Sequence, residues 1–145
     1  MGPQHRQAHT PLCLQLPLRR ESAGRLRAAL RRYLAAHAIP SSTARDVVLA
    51  AEEACINAIM HSGAIDTGFE LTAEVVDHSV VLEVSDQGCG LAHGSCAFLP
   101  PADPLADRGR GLFLIHEVMD EVEVVSDSAV GGARLRMVKR FRSLT

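Results

Sequence analysis

Leucines alternate with other residues from Leu12 to Leu18, the period-two pattern of a strand with one face on a core, and predict an edge strand. Residues 1 to 9 are polar and aperiodic and are expected to be a flexible tail, so the folded domain is expected over 10 to 145. The period changes at Glu21. Leu26, Ala29, Leu30, Tyr33 and Leu34 recur at three- and four-residue intervals, which predicts an amphipathic helix to His37 with its arginines in water. Ile39-Pro40 ends that helix, because the residue before proline avoids helical geometry. Ser41, Ser42 and Thr43 offer caps to a second helix whose apolar face is Val47, Val48, Ala51, Ala54, Cys55, Ala58 and Ile59 and which runs to about His61.

Ser62-Gly63 breaks the pattern. Two strand-like runs, near 67 to 76 and 79 to 86, meet at Asp77-His78 and predict a hairpin. From Asp86 to Arg110 the chain carries Gly88, Gly90, Gly94, Gly109, Pro100, Pro101 and Pro104, which oppose regular structure. A loop that long is usually functional or disordered. Helical spacing returns from Leu112 to Met119, followed by a strand around Glu121 to Ser126, a Gly131-Gly132 turn and a last strand from Arg134 to Phe141. The order predicts an α+β fold, a two-layer sandwich with helices on one face of a mostly antiparallel sheet.

Composition narrows the function classes. Apolar residues make up 47% and charged residues 22% of the 145, a globular balance in one domain. With 15 basic and 17 acidic residues the net charge is −2, which gives no general pull toward a phosphate backbone, so nucleic acid is not an expected partner. There is no Trp, one Tyr and four Phe, so the core must be aliphatic and stacking platforms for single strands are absent. The cysteines at 13, 55, 89 and 96 form no C-x-x-C pair, which argues against structural zinc, and Cys55 and Cys89 read as buried or pocket-edge thiols rather than nucleophiles. The N-terminus lacks the apolar core of a signal peptide and no run of about 18 apolar residues occurs, so a cytoplasmic protein with no membrane segment is expected.

Three places could carry chemistry. Glu53, Asn57 and His61 stand at four-residue intervals on one face of the second helix, beside its alanine-rich stripe. Buried without partners they would cost free energy, so they are expected to border a cavity or water, although the polar edge of an ordinary amphipathic helix explains the same spacing. Asp86-Gln-Gly88-Cys-Gly90 follows a buried strand; the carboxylate could accept a hydrogen bond from an amino group such as that of adenine, while glycine leaves room beside it. Alone, D-x-G-x-G is only a turn. Gly109-Arg110-Gly111 precedes the third predicted helix, whose free amides and dipole attract phosphate, and Arg108 and Arg110 add positive charge. The P-loop pattern is absent, and G-x-G-x-x-G fails at Leu114.

Together, EEACINAIMHS, VSDQGCG and RGRGLFLIHEVMDEVEVV stand in one order at suitable separations and resemble the N, G1 and G2 boxes of the GHKL (Bergerat-fold) ATPases. The stretch GLFLIHEVMDEVEV and the short chain are most similar to the anti-sigma factor serine/threonine kinases, and the resemblance covers about residues 10 to 141. It implies ATP and Mg2+ as cofactors, with Glu53 as the general base, Asn57 holding the magnesium ion and Asp86 binding adenine. Gly88 and Gly90 would shape the adenine pocket, and Arg108, Gly109, Arg110 and Gly111 would meet the phosphates at the base of a mobile lid. The implied function is regulation of transcription by partner switching: a homodimer sequesters a sigma factor and phosphorylates an antagonist of the STAS type. Two features depart from the family. Ala133 follows the paired glycines where a threonine usually assists adenine recognition, and the lid from Leu91 to Arg108 resembles no particular kinase lid. The alternative they favour is a regulatory module that binds nucleotide and a protein partner but transfers no phosphate.

Overall fold

The computed structural model describes residues 10–17, 19–61, 68–86, 108–127 and 132–142. They form β1 (Leu12–Pro17), α1 (Glu21–Ala36), α2 (Ser41–His61), β2 (Gly68–Val76), β3 (Ser79–Asp86), α3 (Arg108–Val118), β4 (Glu121–Asp127) and β5 (Gly132–Arg140). The strands make one antiparallel sheet in the order β1-β2-β3-β5-β4, so the leucine-alternating segment is an edge strand, as its pattern predicts. One face of the sheet turns Phe69, Leu71, Ala73, Val75, Val80, Leu82, Val84, Leu135 and Met137 inward. Against it lie Leu26, Leu30 and Leu34 of α1, the aliphatic stripe of α2 from Val47 to Ala58, and Ile115 of α3. The two-layer α+β sandwich is therefore the observed architecture. No helix among the described residues is long and apolar enough to cross a membrane.

Local chemistry accounts for the joints. Helix α1 ends in a Schellman motif: the Ile39 amide donates to Leu34 O at 3.1 Å and the Ala38 amide to Ala35 O at 3.1 Å, with Ala38 at φ 54° in the left-handed region. Ile39 is buried below that turn. The Pro40 carbonyl then accepts the Ala44 amide at 2.9 Å, so Ser41, Ser42 and Thr43 form the first turn of α2 rather than preceding it. The β2–β3 hairpin turns at Asp77-His78, with Asp77 at φ 54°, a conformation aspartate tolerates better than most residues. At the other edge of β2, the register that pairs Leu12 with Ala73 would set Thr10 opposite Val75. There the Tyr33 hydroxyl takes the place of a ladder bond, accepting the Val75 amide at 3.3 Å and donating to Thr10 O at 3.1 Å. Burial raises the Tyr33 phenol above its ordinary range.

Two further boundaries, both at glycines, differ from the sequence reading. Helix α3 starts at Arg108, four residues before Leu112, and takes in Gly109 and Gly111. Glycine costs about 1 kcal/mol in a helix interior, which is why it reads as a boundary, but Ile115 and Met119 packed in the core hold the helix that the first turn extends. Likewise Gly132 lies inside β5, paired with Asp127, rather than in the turn.

Candidate nucleotide site

Helix α2 lies between α1 and α3 and packs on β3 and β5. Asp46, Ala50, Glu53 and Asn57 follow one another at four, three and four residues and so share one flank of it. Lys139 of β5 identifies what that flank faces. Its Nζ sits 3.2 Å from Asp46 Oδ2 and donates to the carbonyl of Val118, the last residue of α3, at 2.6 Å. The row therefore looks toward α3 and β5, with the C-terminal end of α3 level with Asp46. Helix α3, which opens at Arg108, packs against α2.

Within this row two side chains are poorly answered by protein. Asn57 is only 3% exposed, and its Nδ2 is buried with no hydrogen-bond partner among the described residues. Glu53 is half-buried; loss of hydration holds its carboxyl above the ordinary 4.5, and the neighbouring Glu52 charge adds to the effect. Such a carboxyl is a better proton acceptor than a fully hydrated one. Cys55 is fully buried and its thiol is pushed up to about 12, first by burial and then by Glu52, so it stays neutral and is no nucleophile.

The other predicted residues divide three ways. Asp86 ends β3, with Phe69 and Ala133 as its strand partners, so the alanine that replaces the family's threonine stands beside it in register. Arg108, Gly109, Arg110 and Gly111 form the first turn of α3, whose amides have no acceptor within the helix and can meet an anion. Gly88, Gly90, Cys89, His93 and the lid through Asp107 lie outside the described residues. No cluster of three metal-ligating side chains occurs among the described residues. The unanswered atom of Asn57 is the donor Nδ2, which suits an acceptor such as a phosphate oxygen, whereas a magnesium ion would take the amide oxygen Oδ1 together with substrate phosphates. Sequence reasoning missed the Asp46–Lys139–Val118 bracket that orients the row; its only sequence signal was that Asp46 lies two turns before Glu53 on the same flank.

An antiparallel sheet under three helices, with Glu53 and the buried Asn57 on the central helix, defines a two-layer α+β sandwich with a polar row on its central helix. The chain belongs to the histidine kinase-like ATPase domain family, whose profile matches residues 16–139. It is similar to the serine-protein kinase RsbW of Bacillus licheniformis, with 32% identity over 106 residues, 67% of this chain and 66% of the relative. RsbW of Bacillus pumilus is 28% identical over 140 residues, 89% of this chain and 86% of that one. Two solved structures share the fold. The RsbU and RsbW domains of Rv1364c from Mycobacterium tuberculosis align with a TM-score of 0.69 at 24% identity, over 91% of this chain and 32% of that one. The SiaB-SiaC complex from Pseudomonas aeruginosa aligns at 0.66 and 19%, over 88% of each chain.

Proposed function

We propose that this protein binds magnesium-ATP and acts as an anti-sigma factor serine/threonine kinase, sequestering a sigma factor and phosphorylating a STAS-type antagonist. The observation that carries the reading is the row on α2, where a buried amide without a protein partner follows one turn after a carboxyl with raised proton affinity. The names of the RsbW relatives and the SiaB-SiaC fold match point the same way. In this reading the bound nucleotide and its metal supply the transferable phosphoryl group and neutralise its charge. Asn57 would offer its amide oxygen to the metal and its unanswered Nδ2 to a phosphate oxygen, and Asp86 would accept from the adenine amino group. The first-turn amides of α3, with Arg108 and Arg110, receive the phosphates. Glu53 takes the proton of the attacking serine hydroxyl, and a carboxyl whose proton affinity is raised by burial suits that role. Homodimerisation through the apolar edge strand β1 completes the proposal, since such an edge invites a further strand.

Calorimetry on the purified chain tests the first half: ATP binds only with magnesium, and Asp86→Asn weakens it because an amide presents a donor where an acceptor is needed. Unchanged affinity in that variant removes Asp86 from the site. A specific observation favours the alternative of a nucleotide-binding module without phosphoryl transfer. Ala133, the strand partner of Asp86, cannot add the hydroxyl that a threonine would bring to the adenine end. ATP binding with no phosphorylation of any cognate antagonist selects that alternative.

A further inference from the structure

On the opposite flank of α2 from Glu53 and Asn57, a groove of about 550 Å³ runs between α1 and α2 beside their connection. Ala44, Val48 and Glu52, spaced four residues apart, line it from α2, whereas the Asp46 row faces α3. Its floor is apolar: Ile39 and Val48 are 8% and 4% exposed and continuous with the core, and Ala35 and Leu49 add to the apolar lining. Arg31 stands on the α1 wall and Arg45 on the α2 wall. Glu52 forms no ion pair with either; its Oε1 lies 3.1 Å from Arg27 Nη1, close enough for charge pairing but without a hydrogen bond. Neither Arg31 nor Arg45 makes an ion pair among the described residues. The groove thus joins an apolar floor to two positive charges, on facing walls, that have no ion-pair partner among the described residues.

We infer that this groove docks an acidic amphipathic helix of a partner protein, apolar edge down and carboxylates against Arg31 and Arg45. A helix laid into a groove offers apolar anchors three, four and seven residues apart, and an aliphatic floor between two helices fits that spacing. Charge selects the partner: residues 1 to 9 of this chain contain His5, Arg6 and His9 and no acid, so the chain's own tail is a poor occupant. The concave floor also favours a helix over a flat anionic membrane. The inference does not depend on the nucleotide reading, since no groove residue belongs to the Glu53–Asn57 row.

The test titrates the full-length isotope-labelled chain with synthetic helical peptides of about four turns, carrying leucine on one edge and flanked by glutamate. Matched peptides with lysine in place of glutamate serve as controls. Saturable amide shifts confined to the residues around 31 to 52 are expected with the acidic peptides only, weakening as salt is added. Reversing both charges, Arg31→Glu with Arg45→Glu, should weaken binding about tenfold while magnesium-ATP affinity stays unchanged. Should that variant fold poorly, the Gln pair carries the same test with a smaller loss. Equal binding of the lysine peptides, or no saturable shift at millimolar peptide, overturns the assignment. So would Arg45-dependent sedimentation with phosphatidylserine vesicles, much tighter peptide binding after removal of residues 1 to 9, or a dimer dissociated by the charge reversals. Those results would give the groove to a membrane, the tail or a second copy.

Discussion

The two halves of α2 rest on one apolar stripe yet treat their polar residues in opposite ways. In the N-terminal half, Asp46 meets Lys139 at 3.2 Å, and the same ammonium donates to the Val118 carbonyl, binding helix, helix end and strand together. In the C-terminal half, Asn57 is buried with its Nδ2 unanswered, and Glu53 carries a carboxyl that burial makes reluctant to ionise. An unsatisfied buried donor costs about 1–3 kcal/mol. A fold can carry that cost at one position when its other end is well bracketed, and the unanswered group is then free to meet a ligand. Contacts that tie α2 to its neighbours lie in the bracketed half, and the half that the proposed function assigns to ligand is the open one.

The largest effect separating the halves is expected in rate. Glu53→Gln should slow phosphorylation of the antagonist by about 100- to 10,000-fold with ATP affinity nearly intact, read from radiolabel transfer and calorimetry side by side. Transfer at the parental rate removes Glu53 as the base. The same variant also tests a pH dependence. The folded chain keeps the Glu53 proton above 4.5, where the unfolded chain has released it, so stability falls as pH rises through the window between 4.5 and the raised value. In Glu53→Gln that slope should flatten; an identical slope in both proteins would assign the dependence elsewhere.

Next in size is the bracket. Lys139→Met removes a charge-assisted hydrogen bond to Val118 and leaves Asp46 unpaired, and should cost about 2 kcal/mol in denaturant unfolding. Asp46 is partly solvated, so most of that loss should come from the carbonyl contact rather than from the ion pair. Asn57→Ala is the converse. It removes an unanswered donor as well as some packing, so stability should change by less than about 1 kcal/mol while magnesium-dependent ATP binding is lost. A loss above 2 kcal/mol, roughly the upper range for a satisfied buried group, would mean that the amide serves the fold and not a ligand.

The smallest effect lies at the joint that leads into α2. Ala38 holds φ 54° as the residue closing the Schellman motif, where glycine is favoured. Ala38→Gly should therefore stabilise the domain by about 0.5 kcal/mol, the left-handed strain relieved outweighing the added freedom of the unfolded chain. ATP affinity should not move. A shift in affinity would show that the bracketed and open halves are coupled more closely than their contacts imply.

Much of this architecture was legible in the chain itself. The alternation of Leu12, Leu14 and Leu16, the Leu26-Leu30-Leu34 stripe and the turn at Asp77-His78 each depend on neighbours a few residues away, and each formed where its period or turn chemistry required. Glu53 and Asn57 were recognisable as one row for the same reason, because four-residue spacing on a helix needs no tertiary information. Local rules misjudged the ends of elements. Glycine at 109 and 111 reads as a helix boundary, and the pull of Ile115 and Met119 into the core is invisible to a window that ends there.

What only the tertiary structure decided is which local pieces meet. Asp46 and Lys139 are 93 residues apart, and nothing in either segment announces the contact that turns the Glu53–Asn57 row toward α3. Ala133 was visible as a departure from the family pattern, but its position beside Asp86 follows from β5 inserting between β3 and β4, a strand order that closes over α3. The α1–α2 groove likewise exists only because the packed helices bring Arg31 and Arg45 to facing walls. Period and turn chemistry are properties of adjacent covalent neighbours, so the sequence alone determined the elements and their apolar faces. Pairing between distant segments is settled by burying all those faces at once, and only the assembled sandwich does that.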